Sequence, residues 1–152
     1  MRVLICAVGR ARKQAARAVY EEYARLIRWP LDLVEVEERR PLSTQERRAA
    51  EAGLLLGKVP DGAVVVALDE NGRDLTSRAL ADRVGGWRDD GRGCVAFLIG
   101  GADGLDDTVR AQADLTLSFG RQTWPHLLVR GMLAEQIYRV QQILAGHPYH
   151  RD

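Results

Sequence analysis

Three stretches of this chain carry residues able to do chemistry. The first is Val95–Leu105, V-A-F-L-I-G-G-A-D-G-L, where an apolar run of strand composition stops at Gly100-Gly101, bends again at Gly104 and gives way to helix-type sequence. A strand that ends in clustered glycines brings bare backbone to the edge of a sheet. In open α/β sheets ligands bind there, outside the carboxyl ends of the strands. The second is Ser118–His126, S-F-G-R-Q-T-W-P-H, which also follows a strand-like run and mixes a glycine, a Trp-Pro pair and a histidine. The third is the tail His147-Pro148-Tyr149-His150-Arg151-Asp152. Chain termini are ordinarily frayed and compositionally dull, whereas every one of these side chains can touch a ligand or RNA.

The glycine loop does not read as a phosphate cradle. A P-loop needs Lys-Ser/Thr after its glycines to hold phosphate and Mg²⁺; here Ala102, Asp103 and Leu105 stand in that region. A dinucleotide fingerprint needs G-x-G-x-x-G in the first βα turn, and the first strand ends V-G-R-A-R-K instead. Asp103 would also repel phosphate. The loop therefore suits a ligand that needs close backbone contact without phosphate charge, and an adenosine carrying a sulfonium and an amino-acid end meets that description. Each loop has a plainer reading beside this one. The glycines form an ordinary turn, Trp124 fills core, and Pro125 opens a helix where its missing N–H costs nothing. His147 and His150 lack the third and fourth ligands that a metal site requires, so no metal is expected.

The totals narrow the class. At 152 residues the chain favours one domain, long enough to bury a proper core. It is 46% hydrophobic and 28% charged, with a net charge of +1, so overall electrostatics do not announce a nucleic-acid binder. Local basic clusters remain at Arg10, Arg12, Lys13 and Arg17, and at Arg39, Arg40, Arg47 and Arg48; they read equally as solvated helix faces. Cys6 and Cys94 sit in apolar runs without a C-x-x-C pattern, which predicts reduced buried thiols. The opening apolar run is too short for a signal segment and no stretch reaches membrane-span length. A cytoplasmic protein with no membrane partner is expected.

Alternating strands and helices must position the three stretches. Val3–Val8 reads as a strand apolar on both faces, followed by a helix over Ala11–Ile27 with Val19, Tyr23 and Leu26/Ile27 on one stripe and a break at Trp29-Pro30. Leu31–Val36 alternates apolar and acidic residues, as an edge strand does. Ser43-Thr44-Gln45-Glu46 has the capping-box pattern, starting a helix that runs to about Leu56. Ala63–Leu68 is a buried strand that the cluster Asp69-Glu70-Asn71-Gly72 should end in a turn. A helix Ser77–Trp87, a strand Cys94–Ile99, a short helix capped at Asp106-Asp107, a strand Leu115–Ser118 and a helix Leu127–Leu144 stopped by Gly146 complete the order. Strands apolar on both faces predict an α/β fold, a mostly parallel sheet with helices on both sides.

The chain resembles the bacterial 23S rRNA pseudouridine-N3 methyltransferases, a small single-domain branch of the SPOUT methyltransferases. The strings I-G-G-x-x-G-L (Ile99–Leu105), L-V-R (Leu128–Arg130) and H-P-Y-H-R (His147–Arg151) carry the likeness, with Val66-Ala67-Leu68-Asp69, Thr123, Pro125-His126 and Glu135–Arg139 between them. The likeness covers essentially residues 1–152. It implies a SPOUT-type fold with a C-terminal trefoil knot, against general topological rules. It implies S-adenosyl-L-methionine as cofactor, with contacts at Leu68, Gly100, Gly101 and the loop Gly120, Arg121, Gln122, Thr123, Trp124 and Pro125. It also implies a homodimer in which the tail of one subunit completes the site of the other. The substrate would be a pseudouridine in the intersubunit-bridge stem-loop of 23S rRNA, within the assembled 70S ribosome. The sequence departs from the family at Ala102-Asp103, at Phe119–Gln122 and at Leu127, all beside the implied cofactor contacts.

Such a reaction sets a chemical requirement. N3 of pseudouridine carries a proton between two carbonyls and must lose it to become nucleophilic, so a base or a cation that stabilises the anion is needed. Tyr149, His150 and Arg151 are the candidate catalytic residues. His150 can titrate near neutrality, Arg151 can stabilise an anion or hold a phosphate, and Tyr149 can stack on a base. A non-catalytic ribosome- or RNA-binding module of the same fold is the competing reading.

Overall fold

The computed structural model describes residues 1–12 and 15–151, so Lys13 of the first basic cluster and the terminal Asp152 lie outside the described residues. The elements run β1 (Arg2–Val8), α1 (Ala15–Ala24), β2 (Leu31–Val36), α2 (Thr44–Leu56), β3 (Val64–Asp74), α3 (Ser77–Asp89), β4 (Cys94–Ile99), α4 (Asp107–Gln112), β5 (Leu115–Ser118) and α5 (His126–Leu144). The five strands form one sheet in the order β2-β1-β4-β3-β5. Every pairing is parallel.

The doubly apolar strands are explained by two cores, one on each face. Val3, Ile5, Val64, Val66, Val95, Phe97 and Ile99 pack with Leu80 and Val84 of α3 and with Leu133, Ile137 and Val140 of α5. The alternate residues Leu4, Cys6, Val8, Val65, Ala67, Ala96 and Leu98 pack with Ala52 and Leu55 of α2 and Val109 of α4. A parallel sheet covered on both sides has no wet face, so its strands lose the polar alternation. Both cysteines are free. Cys6 stands opposite Leu98 and Cys94 opposite Arg2, and burial pushes the Cys6 thiol up to about 11.

Two elements differ from the sequence expectation. The first helix is shorter than Ala11–Ile27: Ala11 lies outside α1, where its N–H donates to Glu35 Oε1 at 2.9 Å. No residue of α1 is buried, and Val19 stays 39% exposed. The half-buried stripe runs instead through Ala16, Tyr20, Tyr23 and Ala24. The strand β3 does not stop at Leu68. The side chain of Asp69 does make the local turn contact expected of it, accepting the Asn71 N–H at 2.9 Å. However, the backbone resumes pairing at Arg73 and Asp74, against Leu117 and Ser118, after an irregularity between Leu68 and Arg73. Gly72 makes this possible: a Cβ there would stand 2.8 Å from the backbone of Thr116 and Leu117.

The capping box at α2 forms as the sequence predicts. Ser43 Oγ accepts the Glu46 N–H at 3.2 Å, and Glu46 Oε2 accepts the Ser43 N–H at 3.1 Å. Ser43→Ala removes half of this reciprocal pair and is expected to cost about 1 kcal/mol, read as a lower urea midpoint with unchanged slope. None of the described helices is long and apolar enough to cross a membrane.

Candidate active site

A cavity of about 730 Å³ opens at the carboxyl ends of the central strands. Its first wall is the end of β3, from Leu68 to Asn71; its second is the glycine loop, residues 99–105; its third is the loop after β5 with His126 and Val129 at the start of α5. The two loops singled out in the sequence therefore face one space.

The glycines have specific geometric reasons. A Cβ on Gly100 would lie 2.8 Å from the carbonyl carbon of Gly104 and 3.0 Å from Leu105 N. The loop closes on itself there: Gly101 and Gly104 form an isolated antiparallel bridge, the Gly104 N–H donates to Gly101 O at 3.1 Å, and Gly104 has φ 78°. Gly101 is constrained from another side, since its Cβ would meet Val8 Cγ1 at 2.9 Å and the Glu51 carboxylate at 3.5 Å. Glu51 is buried, and that burial pushes its carboxyl up.

Charged side chains lock the walls together. Arg110 Nη1 donates to Asp69 Oδ2 at 2.6 Å and to Leu105 O at 2.9 Å, and its other terminal nitrogen bonds Asp107. One guanidinium thus ties the end of β3 to the exit of the glycine loop, and bonding to Asp107 and Asp69 holds it firmly charged. Both Asp69 oxygens are engaged, one by Arg110 and the other by the Asn71 N–H. Thr123 Oγ1 donates to Glu70 Oε2 at 3.2 Å, joining the third wall to the first. Trp124 donates from Nε1 to Phe119 O at 3.2 Å and remains 38% exposed. It is a rim residue and not core filler. Pro125 is the residue just before α5.

Of the predicted cofactor contacts, Leu68, Gly100, Gly101, Gly120, Gln122, Thr123, Trp124 and Pro125 line this cavity. Arg121 is exposed and is not among the lining residues. The tail is elsewhere in this chain. Tyr149 Oη donates to Glu135 Oε1 at 3.1 Å, the Arg139 guanidinium lies 4.9 Å from the Tyr149 ring centre, and Tyr138 meets that ring edge-on at 4.7 Å. Arg139 Nη1 is 3.3 Å from His150 Nδ1, and Arg151 is exposed. Tyr149 and His150 are thus gathered against α5, and neither they nor the exposed Arg151 line the cavity.

Sequence reasoning missed a second group, which meets His126 beside Gly9. Arg130 is 1% exposed. It donates to Glu35 Oε1 at 2.6 Å, to Val8 O at 2.8 Å and to Gly9 O at 2.7 Å. These bonds fasten α5 to the ends of β1 and β2. His126 stands beside this cluster, with Nε2 facing Gly9, and burial followed by the Arg130 charge holds its imidazole below the ordinary value. The L-V-R string contained the signal, but a lone arginine on a helix reads as a solvated charge until its burial is known. Among the described residues no group of His, Cys, Asp and Glu could hold a metal ion.

Residues 1–150 match the family model described as predicted SPOUT methyltransferase. The chain is 60% identical, over 151 residues and 99% of each sequence, to the ribosomal RNA large subunit methyltransferase H of Rhodospirillum centenum. In fold it is similar to a probable methyltransferase of Bordetella pertussis, with a TM-score of 0.60 at 17% identity over 91% of this chain and 95% of that one. It is also similar to the SpoU methyltransferase AviRb of Streptomyces viridochromogenes in complex with AdoMet, with a TM-score of 0.51 at 14% identity over 93% of this chain and 58% of that one.

Proposed function

We infer function from one premise: the chain belongs to the SPOUT methyltransferase family. The reaction proposed is methylation of large-subunit ribosomal RNA, at N3 of a pseudouridine in the intersubunit-bridge stem-loop, with S-adenosylmethionine as methyl donor and the assembled 70S ribosome as substrate. The observation that carries this reading is the cavity itself. It is built from two loops at the strand ends, cradled by bare glycine backbone, and without a phosphate-binding motif.

The residues present fit such a cofactor. About 730 Å³ is ample for a nucleoside with an amino-acid arm. Gly100, Gly101 and Gly120 offer backbone without side chains, and Leu68, Gln122, Thr123, Trp124 and Pro125 supply the remaining contacts, with Arg121 at the exposed turn of the same loop. Asp69, Glu70 and Asp103 line the cavity together with Arg48 and Arg110, Asp69 being paired with Arg110, so the carboxylates are only slightly in excess, a balance that tolerates a cationic sulfonium. When bound, S-adenosylmethionine supplies an electrophilic methyl group. The protein's own task is to orient it against the target nitrogen and to handle a proton.

The protein is proposed to act as a homodimer whose tails cross. Tyr149, His150 and Arg151 sit outside their own subunit's cavity, which is the arrangement expected if they serve a partner's. The exposed Val19 of α1 and Leu26 just beyond its end, 39% and 38% accessible, supply apolar surface for such a contact. The C-terminal part is proposed to be knotted, as the family resemblance implies. A net charge of +1 fits recognition of a folded ribosomal surface better than capture of free RNA, with Arg10 and Arg12 as candidate phosphate contacts.

Methyl transfer to ribosomes lacking the modification tests this reading. Arg151→Ala should lower turnover by about 100-fold while calorimetry shows unchanged cofactor affinity. Unaltered turnover would remove Arg151 from the mechanism. Cofactor binding without any transfer would favour the non-catalytic module.

A further inference from the structure

We propose that His126 takes up the proton that the target imide nitrogen loses during methylation; this rests on the methyl-transfer reading above. The chain has three histidines, and their hydrogen bonds separate them. His147 Nδ1 accepts the Tyr149 N–H at 3.2 Å. His150 Nδ1 faces Arg139 Nη1 at 3.3 Å. A guanidinium donates only, so His150 must accept at Nδ1 and carry its own proton on Nε2. In that arrangement neither tail histidine has a lone pair left to receive a proton.

His126 differs in both place and partners. It lines the cavity, at the first position of α5. The edge of its ring bearing Nε2 and Cδ2 lies against Gly9, where a Cβ would stand 3.4 Å and 3.9 Å away. Nδ1 is therefore on the opposite edge and is the atom assigned to receive the proton. Gly9 has φ 87° and no side chain, so the ring packs on bare backbone.

The charges around His126 keep that lone pair available. Arg130 approaches from the same helix and is itself paired with Glu35 of β2 at 2.6 Å. From β3, Asp69 is neutralised by Arg110 of α4, and Glu70 accepts from Thr123. Arg48 of α2 and Asp103 of the glycine loop complete the charged groups of the cavity. Burial and Arg130 both disfavour the imidazolium, and the positive end of α5 acts in the same direction. His126 is thus neutral at working pH.

The proton inventory then balances. The imide N–H gives its proton to Nδ1 of His126, and its electron pair stays on nitrogen to form the bond to the methyl carbon. The pair of the broken carbon–sulfur bond stays on sulfur, which becomes a neutral thioether. One positive charge leaves the cofactor position as one appears on the imidazole, so the net charge of the cavity is unchanged. The same burial and Arg130 charge then drive the proton from His126 to water, restoring the base.

Two measurements test this. The first is a pH titration of the His126 ring by NMR in the RNA-free protein, with S-adenosylmethionine bound and then with S-adenosylhomocysteine bound. The imidazole should titrate about 0.5–1 unit higher beside the neutral product than beside the cation; identical titration in the two complexes would overturn the proposal. The second is turnover of His126→Asn, with His126→Gln as a replacement if the first fails to fold. Turnover should fall by about 10²–10⁴-fold with cofactor binding retained, and the acid limb of the wild-type pH profile, where rate falls as His126 protonates, should vanish. Wild-type turnover in the variant, or an acid limb lost in His150→Gln and kept in His126→Asn, overturns His126 alone. A wild-type protein that transfers no methyl overturns the reading beneath it as well.

Discussion

Gly100→Ala is expected to weaken binding of S-adenosylmethionine by about 100-fold or more, corresponding to about 2.7 kcal/mol. The added methyl would lie 2.8 Å from the carbonyl carbon of Gly104, 2.9 Å from its oxygen and 3.0 Å from Leu105 N. All three are backbone atoms and cannot swing aside as a side-chain tip would. Relief requires the turn to open, which breaks the Gly104 N–H to Gly101 O bond and shifts Leu105, whose carbonyl is held by Arg110. Overpacking of this kind costs about 1–3 kcal/mol, and most of it falls on the loop that forms the second wall. Calorimetry, paired with thermal unfolding to show that the rest of the protein is intact, reads the effect. Normal affinity in a folded variant would place the cofactor elsewhere. Gly101→Val is instructive beside it, because its side chain would collide with Val8 and approach Glu51, so any lost binding there comes from displacing the loop against the protein.

Arg130→Met should produce the largest loss of stability, about 3–5 kcal/mol in urea unfolding. The substitution keeps much of the side-chain volume and removes every donor. It strands the carbonyls of Val8 and Gly9 and leaves Glu35, whose side chain is 27% exposed, without its ion-pair partner. Glu35 retains only the Ala11 N–H among its bonds to the described residues. Arg130 Nε is already without a partner in its buried setting, so the native bonds at the other two nitrogens offset a cost that methionine would not carry. A loss below about 1 kcal/mol would show that water replaces these bonds readily. Because the same guanidinium borders His126, a milder variant, Arg130→Lys, should also lift the His126 titration toward its ordinary value if the cluster loosens.

Much of this architecture is legible in the sequence because it rests on local rules. The capping box at Ser43 and Glu46, the strand Cys94–Ile99 and the stop at Gly146, with φ 67°, follow from side-chain chemistry and chain geometry within a few residues. The parallel sheet follows from strands apolar on both faces. Where tertiary contacts decide, the sequence is silent or misleading. Asp69-Glu70-Asn71-Gly72 has turn composition and makes a turn contact, yet β5 draws the chain back into the sheet at Arg73. Val19 has the period of a core residue and does meet Gly131 of α5, yet it stays partly exposed at the edge of that contact. For the site, the glycine cluster and the Trp-Pro-His loop are legible in the sequence, and both line the cavity. Arg110, Asp69, Arg130 and Glu35 were not identifiable, because each acts through a partner 41 or 95 positions away. No spacing rule links residues that meet only when the sheet forms.

The most direct measurement is transfer of labelled methyl from S-adenosylmethionine to ribosomes isolated without the modification, with separate subunits and free rRNA run in parallel and the labelled nucleoside identified. The proposed function predicts label on N3 of a pseudouridine of the large-subunit RNA, in assembled ribosomes only. Label on another nucleotide would keep the methyltransferase and contradict its proposed target. Absence of both label and cofactor binding would contradict the assignment of the cavity itself.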